Sequence, residues 1–358
     1  MVCLLAVLLV FSLSACIVEK PKPVTIIEEQ ATDTSSPQGP TEGPTEGPTE
    51  GPTEGPVETS TPEDLGPLSP LLWKVTDKDG HYIYLFGTIH CGDKRNQRVL
   101  ERVSGVLKTC DALAVEFDML SYSNDQQRMM EDLTQYVLTD GSAITDHMPP
   151  EMYRSAYELL NRAGLFPSAY VRYNLAMWAQ LVDAAASTLY GGEMDSEKAM
   201  DLLLIRYANK KNIKVLEVES STFQMELLNS FDDMIYLMMI ESTLETLDTY
   251  GQSLMEMYES WLSGDKDAFW SLLTDETITE DDIPGESGID PKAMIALIED
   301  YNRKMLKDRN YGMRDRALEY LAEGKPVFFA VGAAHMANEE GLVQLLTDAG
   351  CSVEQVSY

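Results

Sequence analysis

Two histidines, 245 residues apart (335 − 90), close matching phrases in this chain. Tyr82-Ile83-Tyr84-Leu85-Phe86 runs into Gly87-Thr88-Ile89-His90, and Val327-Phe328-Phe329-Ala330-Val331 runs into Gly332-Ala333-Ala334-His335. Each phrase is an apolar, strand-like run, then Gly-x-x-His, then a polar turn and a helical pattern. The chain has only four histidines, so two of them end buried-looking strands. Imidazole is the commonest protein metal ligand and a near-neutral acid or base. Two further apolar runs end in carboxylates: Ala112 to Val115 stops at Glu116, and Ile213 to Val218 stops at Glu219. Two imidazoles and two carboxylates at strand ends form an inventory suited to a hydrolytic metal site. No HExxH-type local motif is present, so such a site must be assembled over long range.

The elements that must do this assembling are legible in outline. Leu71 to Val75 and Tyr82 to Phe86 flank Asp77-Lys78-Asp79-Gly80, a hairpin signal. With Ala112 to Val115, Ile213 to Val218 and Val327 to Val331 they read as strands. Helical spacing of apolar residues runs over Val99 to Leu107 and over Asp195 to Asn209, with Asp195 as an N-cap. Strand–helix alternation at both ends of this region predicts an α/β fold, with a mixed central sheet and flanking helices. In such sheets ligands bind where strand ends gather on one edge. Gly87 and Gly332 would let backbone turn or approach closely just before each histidine. Between Asp125 and about Asp201, and again from Phe231 to Met313, helices dominate. This is a large helical insertion over about 122–312. Its Met-, Leu- and Tyr-rich stretches, such as Met234 to Met239 and Leu254 to Trp261, read as helix packing rather than a peptide groove. The acidic stretch Asp275 to Asp290, with Pro284, Gly285 and Gly288, reads as an exposed loop.

Each candidate has a bland alternative. A lone histidine after a strand is most often a satisfied structural group, and the repeated context is what favours function for His90 and His335. Glu116 could instead be a surface residue or a helix cap. Glu217 and Glu219 alternate on one strand and point the same way, so either could face inward. His81 beside Gly80, and His147 before Pro149-Pro150, lie in turn-like settings and read as surface residues. Cys91 follows His90 and points to the opposite strand face, while Cys110 and Cys351 sit in apolar surroundings and read as small core residues.

The first 67 residues stand apart. Leu4 to Leu13 is apolar but too short to span a bilayer comfortably. It ends in Leu13-Ser14-Ala15-Cys16, which resembles a bacterial lipobox and implies a signal peptide over 1–15 with lipidation of Cys16. A tether over 16–67 follows, with Pro-Thr-Glu-Gly repeated four times from Pro40 to Gly55. Proline and glycine at that density build no core, and glutamate adds self-repulsion. The domain over 68–358 is ample for a large core. The 27 basic and 59 acidic residues leave a net charge of −32, which disfavours nucleic-acid contact.

On the pair Gly87-Thr88-Ile89-His90 and Gly332-Ala333-Ala334-His335, the chain resembles the TraB/PrgY/GumN family, whose relatives include the TIKI metalloproteases of animals. Leu72-Trp73-Lys74-Val75 looks like that family's opening strand, and Ala114-Val115-Glu116-Phe117-Asp118 like its strand-end glutamate. Val218-Glu219-Ser220 through Gln224 resembles a Leu-Glu-Thr…Gln segment, which selects Glu219 over Glu217. Arg309-Asn310 resembles a pair preceding the last helix and strand, while Asn338 stands where many members have glycine. The resemblance implies a mixed α/β fold, also similar to ChaN-like lipoproteins. It also implies a membrane-tethered, extracytoplasmic hydrolase dependent on a divalent metal, manganese or cobalt, and acting on peptides; zinc is a third candidate for a site of this donor set. His90 and His335 would then bind the ion with one carboxylate of Glu116 and Glu219, the other would be the general base, and Arg309 would stabilise the oxyanion. Two other readings are a non-catalytic lipoprotein that sequesters peptide, and a haem-binding protein.

Overall fold

A computed structural model describes residues 68–274 and 290–356. The leader, Cys16, the tether and the acidic stretch up to residue 289 lie outside the described residues. Six strands form one mixed sheet: β1 (Leu72–Thr76), β2 (Tyr82–Thr88), β3 (Ala112–Val115), β4 (Lys214–Glu217), β5 (Val327–Gly332) and β6 (Ser352–Gln355). Their order across the sheet is β4-β3-β5-β2-β1-β6. The α/β architecture is the one that strand–helix alternation predicts.

The hairpin β1–β2 is antiparallel with Leu72 opposite Phe86. Its turn is held by Asp77, whose Oδ1 accepts the N–H groups of Asp79 and His81, with Gly80 at φ 86°. The strands β4, β3, β5 and β2 are mutually parallel. β5 is buried along its whole length, as its continuous apolar run requires of a strand covered on both faces. β6 has no clear sequence signal. Ser352, Glu354 and Gln355 are exposed, and the strand owes its place to edge pairing with β1, where Val353 faces Val75.

The helices that matter for the site are α1 (Arg95–Leu107), α2 (Leu175–Tyr190), α3 (Met200–Lys211), α4 (Ser221–Leu228), α5 (Asp233–Glu245), α6 (Tyr250–Ser263) and α7 (Asp308–Glu323). Asp195 does cap a helical turn, but a short one over Ser196–Lys198; the chain extends at Ala199 and α3 starts at Met200. α2 is buried almost all round from Leu175 to Ala186, which makes it an interior helix. α5 buries Ile235, Tyr236, Met239 and Ile240 and packs on α2, so its Met-rich sequence is helix packing. The helical insertion returns once to the sheet, at β4. Among the described residues no helix is long and apolar enough to cross a membrane. Cys91, Cys110 and Cys351 are buried free thiols. His81 and His147 bond to local partners, Asp77 and Ser142.

Candidate functional site

Parallel pairing aligns the strand ends. Val115 of β3 lies opposite Glu217 of β4, and the pairing continues past both strands: Val218 N donates to Val115 O and Glu219 N to Glu116 O, each at 2.8 Å. Glu116 and Glu219 therefore sit side by side. β5 runs next to β3, and its last residue, Gly332, is opposite Thr88 of β2. Beyond these ends come His335 in one short turn and His90 in the other. Glu217 turns elsewhere, its Oε1 accepting the N–H of Asp118 at 3.0 Å.

Arg309 and Asn310 join this edge from α7. A π-helical turn over Arg303–Lys307 precedes α7, and an inserted residue of this kind rotates the helix face that follows. Arg309 is 6% exposed. Its Nη2 donates to Glu116 Oε2 at 2.7 Å and to Glu219 Oε2 at 2.8 Å, and its Nε donates to Glu219 Oε1 at 2.9 Å. Gln224 of α4 donates to the same two carboxylates, at 2.9 Å to Glu116 Oε2 and 2.8 Å to Glu219 Oε2. Both oxygens of Glu219 are thus engaged. Glu116 Oε1 accepts the N–H of Gly332 at 2.8 Å and stands 3.9 Å from His335 Nε2.

The two imidazoles are anchored through Nδ1 by different partners. His335 Nδ1 pairs with Asn310 Oδ1 at 2.6 Å, and His90 Nδ1 with Asp201 Oδ2 at 2.8 Å. Neither Nε2 has a hydrogen-bond partner among the described residues. Burial and the Arg309 guanidinium push His335 down to about 3, against the pull of Glu116, so it is neutral at ordinary pH. Burial also opposes charge on His90, but the Asp201 carboxylate and its hydrogen bond outweigh it and lift the ring to about 9. Burial opposes ionisation of Glu116 as well; Arg309, with the imidazoles and the Gly332 N–H, holds it well below the usual carboxylate range. Burial keeps the Cys91 thiol protonated, consistent with a packing role.

Gly332 and Gly87 have different reasons to lack a side chain. A Cβ on Gly87 would press on Ala333 Cα at 3.1 Å, so this glycine allows close packing of the second turn. A Cβ on Gly332 would stand 3.3 Å from Glu116 Oε1, 3.6 Å from His335 Cδ2 and 3.7 Å from His90 Nε2. It would occupy the space that all three side chains border. That space opens into a pocket lined by His90, Glu116, Gln224, Arg309 and the apolar Leu227, Leu228 and Met305. Among the described residues no three His, Cys, Asp or Glu side chains are drawn together closely enough to hold a metal ion. The chemistry of the donor set nevertheless fits one. Two free Nε2 atoms and an ionised carboxylate oxygen border a gap kept open by a glycine, and Nδ1 anchoring is the usual support of ligating histidines.

Four partners have no role assigned from the sequence: Gln224, which ends a segment matched by resemblance, and Asn310, Asp201 and Thr88. Asn310 was visible only as half of an Arg-Asn pair. Asp201 is a lone acid within the apolar run Ala199 to Ile205, a signal of a buried functional carboxylate. Thr88 donates to the other oxygen of Asp201, at 2.5 Å. Asn338 takes φ 69°, the left-handed conformation that glycine adopts without cost and asparagine tolerates, which accounts for its place in the turn after His335.

A buried carboxyl on α2 has a different consequence. Asp183 is 3% exposed; its Oδ1 accepts from Tyr250 at 2.9 Å, and its Oδ2 has no partner among the described residues. Burial raises it from 3.8 to about 7. A raised carboxyl favours the fold below its unfolded value, and that contribution falls as pH climbs from about 4 to about 7. At 1.36 kcal/mol per unit the loss is roughly 4 kcal/mol by pH 8. Asp183→Asn is expected to flatten this part of the stability profile in urea titrations at pH 5 and pH 8, with a net gain of about 1–3 kcal/mol at pH 8 after the cost of an unpaired amide. A slope between these pH values unchanged by the substitution would refute the assignment.

A profile of the TraB/PrgY/gumN family matches residues 71–355, which spans all six strands and every site residue described above. The chain is 24% identical over 272 residues to the uncharacterized protein YbaP of Escherichia coli K12, covering 76% of this chain and 90% of YbaP. The uncharacterized YbaP of Shigella flexneri matches with the same identity and coverage. No solved structure matches the chain significantly. The chain belongs to the TraB/PrgY/gumN family.

Proposed function

We propose that this protein is a hydrolase that uses a divalent cation, manganese, cobalt or zinc, to cleave peptides outside the cytoplasm. One observation carries the reading: a buried imidazole, His335, and a half-buried one, His90, each anchored through Nδ1, have Nε2 atoms without a hydrogen-bond partner among the described residues beside an ionised carboxylate, around a gap that Gly332 keeps open. His90, His335 and Glu116 would hold the cation. A divalent ion there supplies Lewis-acid polarisation of a carbonyl and a water that ionises near neutral pH.

The chain's own residues divide the remaining work. Glu116 Oε1, on a carboxylate kept ionised by Arg309, stands 3.9 Å from His335 Nε2 and is the oxygen that would face the cation, since Oε2 is taken by Arg309 and Gln224. Glu219, with both oxygens engaged, orients the guanidinium rather than reaching substrate. Arg309 contributes positive charge where an oxyanion would develop. The apolar wall of Leu227, Leu228 and Met305 suits a peptide side chain, and the resemblance of the Gly-x-x-His pair to that of the TIKI metalloproteases favours peptides over other acyl compounds. The lipobox-like Cys16 and the Pro-Thr-Glu-Gly tether support a lipid anchor that holds the domain away from a membrane surface.

The test is cation removal. Chelated protein is expected to leave a mixed peptide library intact, and manganese, cobalt or zinc is expected to restore cleavage read by mass spectrometry. Cleavage that persists after chelation and in both His90→Ala and His335→Ala would rule the mechanism out. A peptide recovered bound but uncut would point instead to sequestration.

A further inference from the structure

The two Gly-x-x-His phrases look equivalent in the sequence, yet the structure treats them differently. The residue after the first glycine is Thr88; the residue after the second is Ala333. Thr88 Oγ1 donates to Asp201 Oδ1, and the other oxygen of Asp201 takes His90 Nδ1 at 2.8 Å. Asp201 is 4% exposed and sits in the first turn of α3. The start of α3 is itself pinned to the histidine turn. Met200 N donates to Ile89 O at 2.9 Å. Gly92 and Asp195 form a backbone bridge, and Asn96 Nδ2 ties Cys91 O to Lys198 O at 3.2 and 2.8 Å. Asp201 therefore reaches His90 on a rigid mount. His335 has no threonine and no carboxylate behind it; the neutral amide of Asn310 fills that place.

We propose that Asp201, fixed by Thr88, is the positioning residue of His90: it takes the Nδ1–H and so dedicates Nε2, as a lone pair, to the gap beside Glu116. Thr88 can give one hydrogen to Asp201, and an ionised carboxylate offers only acceptors, so its second oxygen can engage His90 only by receiving Nδ1–H. A carboxylate also raises the basicity of the imidazole it orients more than an amide does. The two histidines are thus unequal donors, with His90 the stronger. The inference rests on the reading of the imidazoles as donors toward the gap.

The experiment uses the full chain with its histidines labelled with nitrogen-15; there are only four to assign. Long-range nitrogen–proton spectra, recorded without cation at a pH high enough to neutralise every imidazole, read each tautomer directly. Wild type is expected to show His90 as a single Nδ1–H tautomer. Asp201→Leu and Asp201→Ala, which remove the acceptor, are expected to give a mixed or reversed His90 tautomer and leave His335 unchanged, with Thr88→Val intermediate. In parallel, zinc affinity read by chelator competition is expected to fall about 10–100-fold in Asp201→Asn and less in Thr88→Val. A His90 tautomer that stays wild-type in both Asp201→Leu and Asp201→Ala, or one that starts as Nε2–H, overturns the proposal. If wild type binds no zinc, the function proposed above fails while the tautomer still decides the role of Asp201. Loss of folding in Asp201→Ala leaves Asp201→Leu and Thr88→Val to give the answer.

Discussion

Replacing His335 with alanine is expected to abolish cation binding and to lower peptide cleavage by a factor on the order of 10³ or more. The ring is 1% exposed, and burial with Arg309 holds it neutral down to about pH 3, so its Nε2 lone pair is available at every working pH. It makes one hydrogen bond, to Asn310, so its removal deletes the donor without dismantling the fold. Gly332→Ala supplies the companion result by the opposite route. The backbone there has φ −49°, which alanine adopts freely, yet its methyl would stand 3.3 Å from Glu116 Oε1 and 3.7 Å from His90 Nε2. It keeps every side chain and fills the gap between them. Cation affinity by titration calorimetry and cleavage by mass spectrometry should fall in both variants, while the melting temperature of Gly332→Ala stays near that of wild type. Two folded variants that bind and cleave as wild type does would show that the gap is not the reaction site.

Arg309→Met is expected to destabilise the protein by about 3–5 kcal/mol at pH 8, because it strands one buried carboxylate, Glu116, and one part-buried one, Glu219, without their cation. Glu116 and Glu219 share one guanidinium through three hydrogen bonds between 2.7 and 2.9 Å. With Arg309 gone, Gln224 alone remains between them, and burial and like charge favour a neutral form. In wild type Glu116 is depressed, so its contribution is present above the ordinary value of 4.5 and is lost as pH falls through the depressed one. In the variant the order reverses: protonation relieves repulsion, so the damage should shrink between pH 8 and pH 5. Glu219→Gln in the same background should recover part of the loss at pH 8 by removing one stranded charge. Urea unfolding at the two pH values measures all of this. A loss under about 1 kcal/mol, equal at both pH values, would mean that the triad is not charge-compensated as described.

Much of the site was readable before any fold was known, for local reasons. A Gly-x-x-His phrase after an apolar run announces a strand, its end and a donor at once, because glycine and burial patterns are local properties of the chain. Glu116 and Glu219 were readable as strand-end carboxylates on the same grounds, although Glu219 was separated from Glu217 only by the family resemblance. What was not readable followed from partners far apart in sequence. β6 carries no apolar alternation, since edge pairing with β1, rather than burial of its own side chains, holds it in place. Asp201 lay inside a helical pattern, where one acid in an apolar stretch says that it is buried but not against what.

The sequence alone determined the α/β class, the two histidine turns and the family to which they belong, because each depends on periodicity or on a short motif. Only the tertiary structure decided how the residues are shared out. It made Arg309 the common partner of two carboxylates, gave His90 a carboxylate and His335 an amide, and left Gly332 as the wall of the gap between them. Those assignments depend on parallel strands of distant origin ending at one edge, and on a π-helical turn that sets which face of α7 looks inward. Side-chain charge and spacing along the chain do not encode either, since hydrogen bonding and burial are settled by neighbours that only folding supplies.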